Sequence, residues 1–518
     1  MSIPMLLQDL IVGFNAFVLV YFIALNTIYL ALFVISLVQV WKFVRRTFFS
    51  DYRQIMQSDM TWPISVLIPA HDEEATIVET VRSLLMINYS EFEIIVINDG
   101  SNDRTLRTLI DAYELRRMDR PYKRAIPTAD VRAVYGSMAH PNLTVVDKEK
   151  GGKADALNAG INLSRYPLFC SIDADSVIED NALLRVVKPF LEKPQETIAA
   201  GGIVRIVNGC EVRDGRVTRI ALSDRALPIL QVVEYLRAFL TGRVGWSNLQ
   251  SLLIISGAFG IYKKQEVIEI GGYTHDTDTE DLELVVRLHE HMHRLKRKYR
   301  VVFVPDPVCW TESPETLKIL ARQRNRWHRG LLQTLWLHKR MLLNPRYGSV
   351  GMFAFPYFAV FELLGPFVET LGYVAVVLSF LLGILDVQFF MMFLAVAVFY
   401  GMFLSIAAIL LEEISFRRYP GWVDLTKLLA YSVIENFGYR QILAAMKVKA
   451  FWDAIRRRRA WGEMPRRGFQ EKREPETSPK YGSGVAEGRL PGKLAEEGVA
   501  RRIRGGVEQH GAMRRRGP

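Results

Sequence analysis

Between Ile11 and Trp41 the chain carries no charged side chain, and the run closes on Lys42, Arg45 and Arg46. No other feature limits the fold as tightly, because a helix needs only about 20 apolar residues to cross a bilayer. A cleaved secretory leader is the rival reading. Its apolar core is usually roughly 7–15 residues long behind a basic start, and this N-terminus has neither feature. The sequence therefore predicts an N-terminal membrane anchor.

A second apolar block runs from about Met352 to Glu412. Its opening, "MFAFPYFAVFELLG", carries Glu362 and reads as an interfacial or broken helix. Pro366 then begins a span to about Leu385, and after "DVQ" another runs from about Phe389 to Leu411. A buried helical hairpin would need shorter runs than these two, each of about 20 apolar residues. Lys42, Arg45 and Arg46 follow the first span, Lys339, Arg340 and Arg346 precede the second, and Arg417 and Arg418 follow the third. All lie on the cytoplasmic side if the N-terminus is outside, which predicts a multi-pass inner or plasma membrane protein with a cytoplasmic middle. The stretch "LTKLLAYSVIENFGYRQILAAMKVKAF", with Lys427, Glu435 and Arg440, reads as interfacial or re-entrant, so two to four crossings follow the middle. The expected division is an anchor (1–46), a cytoplasmic α/β domain (47–336), membrane and interfacial helices (337–450) and a basic, disordered tail (451–518).

The net charge of +11 has its source in that setting: "RRRR" at 456–459 and the Arg-rich tail suit an anionic inner leaflet and membrane lipids. No aromatic-basic interleaving points to nucleic acid. Arg466 and Arg467, with no β-barrel domain beside them, read as solvated tail rather than a cyclic-dinucleotide sensor. Cys170, Cys210 and Cys309 lack metal-ligand spacing and suit a reducing compartment.

In the middle, strand-length apolar runs alternate with helical stretches. "ISVLIPA" (64–70), "FEIIVIND" (92–99) and "LFCSIDAD" (168–175) read as strands, and "EEATIVETVRSLL" (73–85) as a helix, which predicts a mainly parallel sheet. Ligands of such sheets sit beyond the carboxyl ends of the strands. At those ends stand "AHDEE", then Asp99 in "NDGSND", then Asp173 and Asp175. Each alone signals a turn; together they describe one acidic rim. An Asp-x-Asp pair at a strand end suits a hard cation, Mg or Mn, that also takes phosphate oxygens. "KEKGGKADALNAG" (148–160) lacks P-loop spacing, and reads as a loop that brings Lys153 and nearby backbone to a nucleotide.

Two further stretches carry chemistry. "HDTDTEDLELVVRLHEH", from His275, concentrates Asp276, Asp278, Glu280, Asp281 and Glu283 ahead of a helix, where the backbone dipole favours acids. "SPETLKILARQRNRWHRG" (313–330), which contains Gln323, reads as an amphipathic helix at the headgroups that also offers Arg326 to a leaving diphosphate and Trp327 to a sugar.

"IPAHDEE", "INDGSND", "DADS", "SGAFGIYKK", "TED" and "QRNRW" occur in that order from Ser65 to Trp327, with flanking spans. In this the chain resembles the membrane-embedded family-2 glycosyltransferases, which include cellulose, hyaluronan and poly-N-acetylglucosamine synthases. The resemblance implies a GT-A fold (Rossmann-like, mainly parallel sheet), an inverting mechanism, a divalent cation and a UDP-sugar donor. By the same resemblance Asp99 contacts the uridine, Asp173 and Asp175 hold nucleotide and metal, and Asp281 is the general base with Glu280 beside it. Gln323, Arg326 and Trp327 take the diphosphate and the acceptor end. Asp276 and Asp278 are left as ordinary solvated acids. The chain departs from the family at Ala70 and His71, and in a basic-aromatic insert at about 112–143 whose role the sequence does not reveal.

The expected activity is processive transfer of glucose or N-acetylglucosamine from a UDP-sugar to a growing β-linked polysaccharide, with Glu362 and Glu369 either lining a polar path or sitting at the headgroup level. Transfer of one sugar to a lipid-linked acceptor is the alternative, and a non-catalytic membrane scaffold or export subunit is a third reading. Accessory export subunits are not identifiable from the sequence.

Overall fold

The computed structural model describes residues 5–48, 61–416, 418–419 and 421–456. The predicted tail, including Arg466 and Arg467, lies outside the described residues beyond Arg456. The helix expected to stop near 450 runs on to Ile455.

A mixed ten-stranded sheet forms the middle of the chain. Its strands are β1 (Ile64–Ala70), β2 (Phe92–Asp99), β3 (Leu115–Met118), β4 (Val131–Ser137), β5 (Leu143–Lys148), β6 (Leu168–Ile172), β7 (Ser176–Ile178) and β8 (Thr197–Ile206). A separate hairpin of β9 (Glu211–Arg213) and β10 (Arg216–Arg219) follows, and β11 (Phe259–Lys263) and β12 (Arg300–Thr311) complete the sheet. The order is β3-β4-β5-β2-β1-β6-β11-β8-β12-β7. The predicted parallel block is its centre, β5-β2-β1-β6, and β12 adds parallel to β8. Antiparallel strands extend it on both flanks. The central strands read as unbroken apolar runs because both faces are covered.

That parallel centre brings the loops after β1, β2, β5 and β6 to one edge. Because β11 runs antiparallel to β6, with Phe259 opposite Ile172, the "SGA" turn before β11 arrives at the same edge. Two predicted elements are shorter than expected. The first helix of the α/β domain begins at Ile77, because Glu73 and Glu74 are drawn into the loop: Glu74 Oε2 accepts from Arg104 N at 2.9 Å and Glu73 from Thr76 Oγ1 at 3.0 Å. The strand expected over 168–175 stops at Ile172, and a turn closed by Ser176 N on Asp173 O, at 3.1 Å, carries both aspartates.

Around the sheet lie α1 (Met5–Phe48), α2 (Ile77–Leu85), α3 (Lys153–Leu163), α4 (Glu280–Leu295) and α5 (Leu317–Leu337). Beyond them are α6 (Gly365–Leu381), α7 (the run Val387–Phe416), α8 (Trp422–Ile434) and α9 (Tyr439–Ile455). Among the described residues α1 and α7 are long and apolar enough to cross a membrane. A third span exists if Val350–Leu363 and α6, bent by 42° at the break, count as one. That bend sits where a π-helical stretch ends and Pro366 opens the next helix. α8 is about 20 Å long, too short to cross, in keeping with the interfacial reading. Glu435 just past it is buried between Arg237 and Arg440, both at 2.7 Å.

α1 is apolar but not featureless. Asn15 Nδ2 donates to Ser379 Oγ at 2.8 Å, Asn26 Nδ2 to Val396 O at 2.7 Å, and Ser36 Oγ to Thr241 O at 2.6 Å. One helix thus ties α6, α7 and the π-helical turn Leu236–Arg243 together.

α4 and α5 are clasped by His338, whose Nε2 lies 3.1 Å from Glu283 Oε1 and Nδ1 2.7 Å from Glu290 Oε2. Burial pulls the imidazole down, but hydrogen bonds and charge from the two carboxylates outweigh it and hold the group above its ordinary value. Such a histidine stabilises fully below its unfolded pKa of about 6.5, and the stabilisation is lost as pH rises through the raised value. The melting temperature of the detergent-solubilised protein is expected to fall across that rise. His338→Ala should cost about 1–3 kcal/mol at about pH 6 and flatten the dependence, as followed by thermal unfolding over a pH series.

Candidate active site

The site grows from the loop after β5. Asp99, at the end of β2 and almost fully buried, accepts on Oδ1 from Lys148 Nζ (2.7 Å) and Gly151 N (2.9 Å), and on Oδ2 from Gly152 N (2.7 Å). The residue expected at the uridine therefore shapes the glycine loop with both oxygens. Gly152 has φ +89°, a backbone region open chiefly to glycine, and from it α3 starts at Lys153.

Lys153 is the centre. Its Nζ lies 2.7 Å from Asp173 Oδ1 and 3.1 Å from Glu280 Oε1. Burial opposes its charge, yet Asp173, Glu280 and Asp281 together hold the ammonium above its ordinary value. Asp281 Oδ2 accepts from Gly257 N at 2.8 Å and Oδ1 from Leu282 N at 2.9 Å, at the N-terminus of α4 where the helix dipole favours an anion. Burial first, and then the Glu280 charge, nevertheless leave the Asp281 carboxyl above its usual range, against Lys153 and the two N–H groups. Gly257 of "SGAFG" is packed into this centre. A Cβ there would stand 2.9 Å from Lys153 Nζ and 3.4 Å from Asp281 Oδ2. Thus "GGK", "DAD", "SGA" and "TED", scattered from 151 to 281, meet around one ammonium.

The acids from Asp276 to Glu283 divide by role. Asp276 is exposed. Asp278, expected to be an ordinary solvated acid, is instead an anchor. Its Oδ2 accepts from Arg329 Nε (3.0 Å), Arg329 Nη2 (2.7 Å) and Gln333 Nε2 (3.0 Å), which pins α5 across the start of α4. The crossing is close because position 330 is glycine: a Cβ there would fall 2.2 Å from Thr279 Oγ1. Glu283 is buried against Arg287 at 2.8 Å and His338. Of these acids Glu280 pairs with Lys153, at 3.1 Å, and the Asp281 charge acts on it from beside that pair.

On α5 the predicted residues are half-buried, and Gln323 Oε1 and Arg326 Nε have no hydrogen-bond partner among the described residues. Their neighbours are structural. Arg324 pairs with Glu234 at 2.9 Å and covers one face of Trp327 with its guanidinium at 4.5 Å, while Asn325 Nδ2 donates to Asp453 at 2.8 Å. Sequence reading missed Lys148, Arg329 and Gln333. A lysine closing the apolar strand "LTVVDK" was the one available signal.

The turn 173–175 offers two carboxylates and no softer donor, and Asp175 is buried while Asp173 is part-exposed. Among the described residues no three His, Cys, Asp or Glu side chains gather as a complete metal cage. Two carboxylates fit Mg or Mn, which bind through one or two carboxylates and take phosphate oxygens and water for the rest.

Residues 62–330, just over half of the chain, match the family model described as glycosyltransferase like family 2. The chain is 29% identical over 278 residues to the poly-β-1,6-N-acetyl-D-glucosamine synthase of Staphylococcus epidermidis, covering 53% of this chain and 56% of that protein. It is 29% identical over 270 residues to the synthase of the same description from Staphylococcus aureus strain COL, covering 52% and 54%. The chain thus spans about half the length of these curated relatives. The solved mannosyltransferase from Pyrobaculum calidifontis, in complex with GDP-Man and Mn2+, aligns at TM-score 0.45 and 17% identity over 82% of this chain and 99% of that one, a likeness too slight to argue from.

Asp278→Ala would remove the carboxylate that accepts from both Arg329, 7% exposed, and Gln333. The substitution is expected to cost about 3 kcal/mol, read as a lowered melting temperature, and to loosen α5, read as faster proteolysis near 317–337.

Proposed function

The chain belongs to the glycosyltransferase-like family 2, with the GT-A fold, and on that premise we propose that it transfers N-acetylglucosamine from its UDP conjugate to a growing β-linked polysaccharide at a membrane. The observation that carries this reading is the meeting of Asp173, Glu280 and Asp281 on Lys153. The printed names of the relatives support the sugar and the polymer.

In this reading Asp281 removes the proton from the acceptor hydroxyl. Its raised pKa makes it a stronger base than a solvated aspartate, and its two backbone N–H contacts fix its direction. Glu280 and Lys153 hold the charge balance around it. The loop 149–153 lies against the nucleotide diphosphate, and Arg326 and Gln323 donate to its oxygens. Trp327, with one face under Arg324, offers the other to the acceptor sugar. Asp173 and Asp175 would hold Mg or Mn, and the bound ion would supply positive charge to the leaving diphosphate. Attack opposite the leaving group makes a β-linked product from an α-linked donor. The two glutamates of the bent membrane segment, Glu362, which accepts from Tyr357 OH at 3.0 Å, and Glu369, line the polymer's exit. The middle of the chain is cytoplasmic.

Purified detergent-solubilised protein is expected to release uridine diphosphate from UDP-N-acetylglucosamine in the presence of Mg or Mn. Asp281→Asn should lower kcat by about 10²–10⁴-fold in a folded protein. Glu280→Gln removes a neighbouring negative charge, so the Asp281 pKa falls and the acid limb of the pH–rate profile moves to lower pH. A ladder of β-linked oligomers on a sizing gel supports the polymerase. A single addition to a lipid carrier would replace it with the lipid-linked alternative, and an α-linked product or no release from any donor would overturn the mechanism.

A further inference from the structure

The insert at 112–143 takes no part in the chemistry above, yet it is stitched to both ends of α3. After β3 the chain turns back and runs beside that helix before entering β4. At the far end Arg120, 6% exposed, donates to Glu93 Oε2 (2.8 Å), Thr144 Oγ1 (2.8 Å) and Leu163 O (2.9 Å). At that same end, Asn162 Oδ1 accepts from Ala125 N and Ile126 N, each at 3.0 Å, and its Nδ2 donates to Ile126 O at 2.7 Å. At the near end Ala129 N donates to Asp155 Oδ1 (3.2 Å) and Oδ2 (3.1 Å), in the first turn of α3.

Asp155 then passes the contact inward. Its Oδ1 lies 2.6 Å from Lys148 Nζ, Lys148 Nζ lies 2.7 Å from Asp99 Oδ1, and Asp99 holds the amides of Gly151 and Gly152. The three side chains are 8%, 0% and 4% exposed. His275 Nε2 lies 3.9 Å from Asp155 Oδ2 on the outer side. Gly151 leaves room for the carboxylate: a Cβ there would stand 2.5 Å from Asp155 Cγ. Lys148 Nζ is thus held from two sides, and without Asp155 it keeps the Asp99 pair but loses the contact that ties it to the first turn of α3.

We propose that the 112–143 segment is a built-in brace for the nucleotide-binding loop 149–153, and that Asp155 is the positioning residue through which it acts. The proposal rests on the reading of that loop as the donor site. Asp155 touches neither donor nor acceptor. It fixes the loop that does.

The test has one arm that needs no activity. Amide hydrogen exchange of the full-length protein is compared for wild type, Asp155→Asn and Asn162→Ala, the last cutting the insert free of α3 away from the loop. Exchange across 149–153 is expected to speed up by about tenfold in Asp155→Asn, and in the same direction but less in Asn162→Ala, with β1 and β2 unchanged. In the second arm, Asp155→Asn raises KM for UDP-N-acetylglucosamine by about tenfold with kcat within about twofold, the signature of a displaced binding loop rather than lost chemistry. Unchanged exchange at 149–153 in a folded variant overturns the brace, as does a fall in kcat at constant KM. If Asp155→Asn does not fold, unchanged loop exchange in Asn162→Ala overturns it. A wild-type protein that binds no uridine diphosphate defeats the transferase reading alone, and the exchange arm still decides the brace.

Discussion

The site depends on the charge of Lys153. Three acids from two distant parts of the chain, Asp173 on one side and Glu280 and Asp281 on the other, gather around it in a partly exposed site. Two like charges at about 4 Å repel by about 4 kcal/mol at an effective dielectric of 20, so the cluster needs a cation at its centre to exist folded. Lys153 supplies it from the first residue of a helix whose position is set by the glycine loop before it. The donor side and the acceptor side are therefore not independent constructions. The same ammonium that neutralises the Asp173 side also restrains the rise in the Asp281 pKa.

Much of this was legible in the sequence, for definite reasons. The central strands are unbroken apolar runs, so their ends could be located, and the acids at those ends could be grouped before their distances were known. What escaped was every contact decided by the approach of elements far apart in sequence. Asp278 looked solvated because nothing local marks it; its partners Arg329 and Gln333 lie some fifty residues on, in a helix whose crossing angle no periodicity reveals. Asp99 carried the right motif, yet its carboxylate serves the loop from within, since Lys148 and two amides reach it first. The aspartates at 173 and 175 stand on a turn that the apolar run before them does not foretell, since the strand ends at Ile172.

The membrane helices and the α/β domain are joined by buried charge as well as by apolar packing. Arg205 at the end of β8 is paired with Glu412 of α7, both almost fully buried, with Trp310 and Tyr419 against the guanidinium at 5.9 Å each. Arg237 and Arg440 close on Glu435 from either side. Such pairs add little net stability over apolar contacts, but they are costly to separate singly. The domain is thus fixed against the helices at defined points rather than tethered by a linker.

The polar ties of α1 also set a timetable for making the protein. Asn15 is satisfied by Ser379, 364 residues later, and Asn26 by Val396, 370 residues later. At about 5–20 residues per second, the first helix waits roughly 20–70 s before those partners are synthesised. Through that interval two carboxamides in an otherwise apolar helix have no native partner, and an unsatisfied polar group in lipid costs several kcal/mol. The polar ties of α1 therefore close only once α6 and α7 have been made.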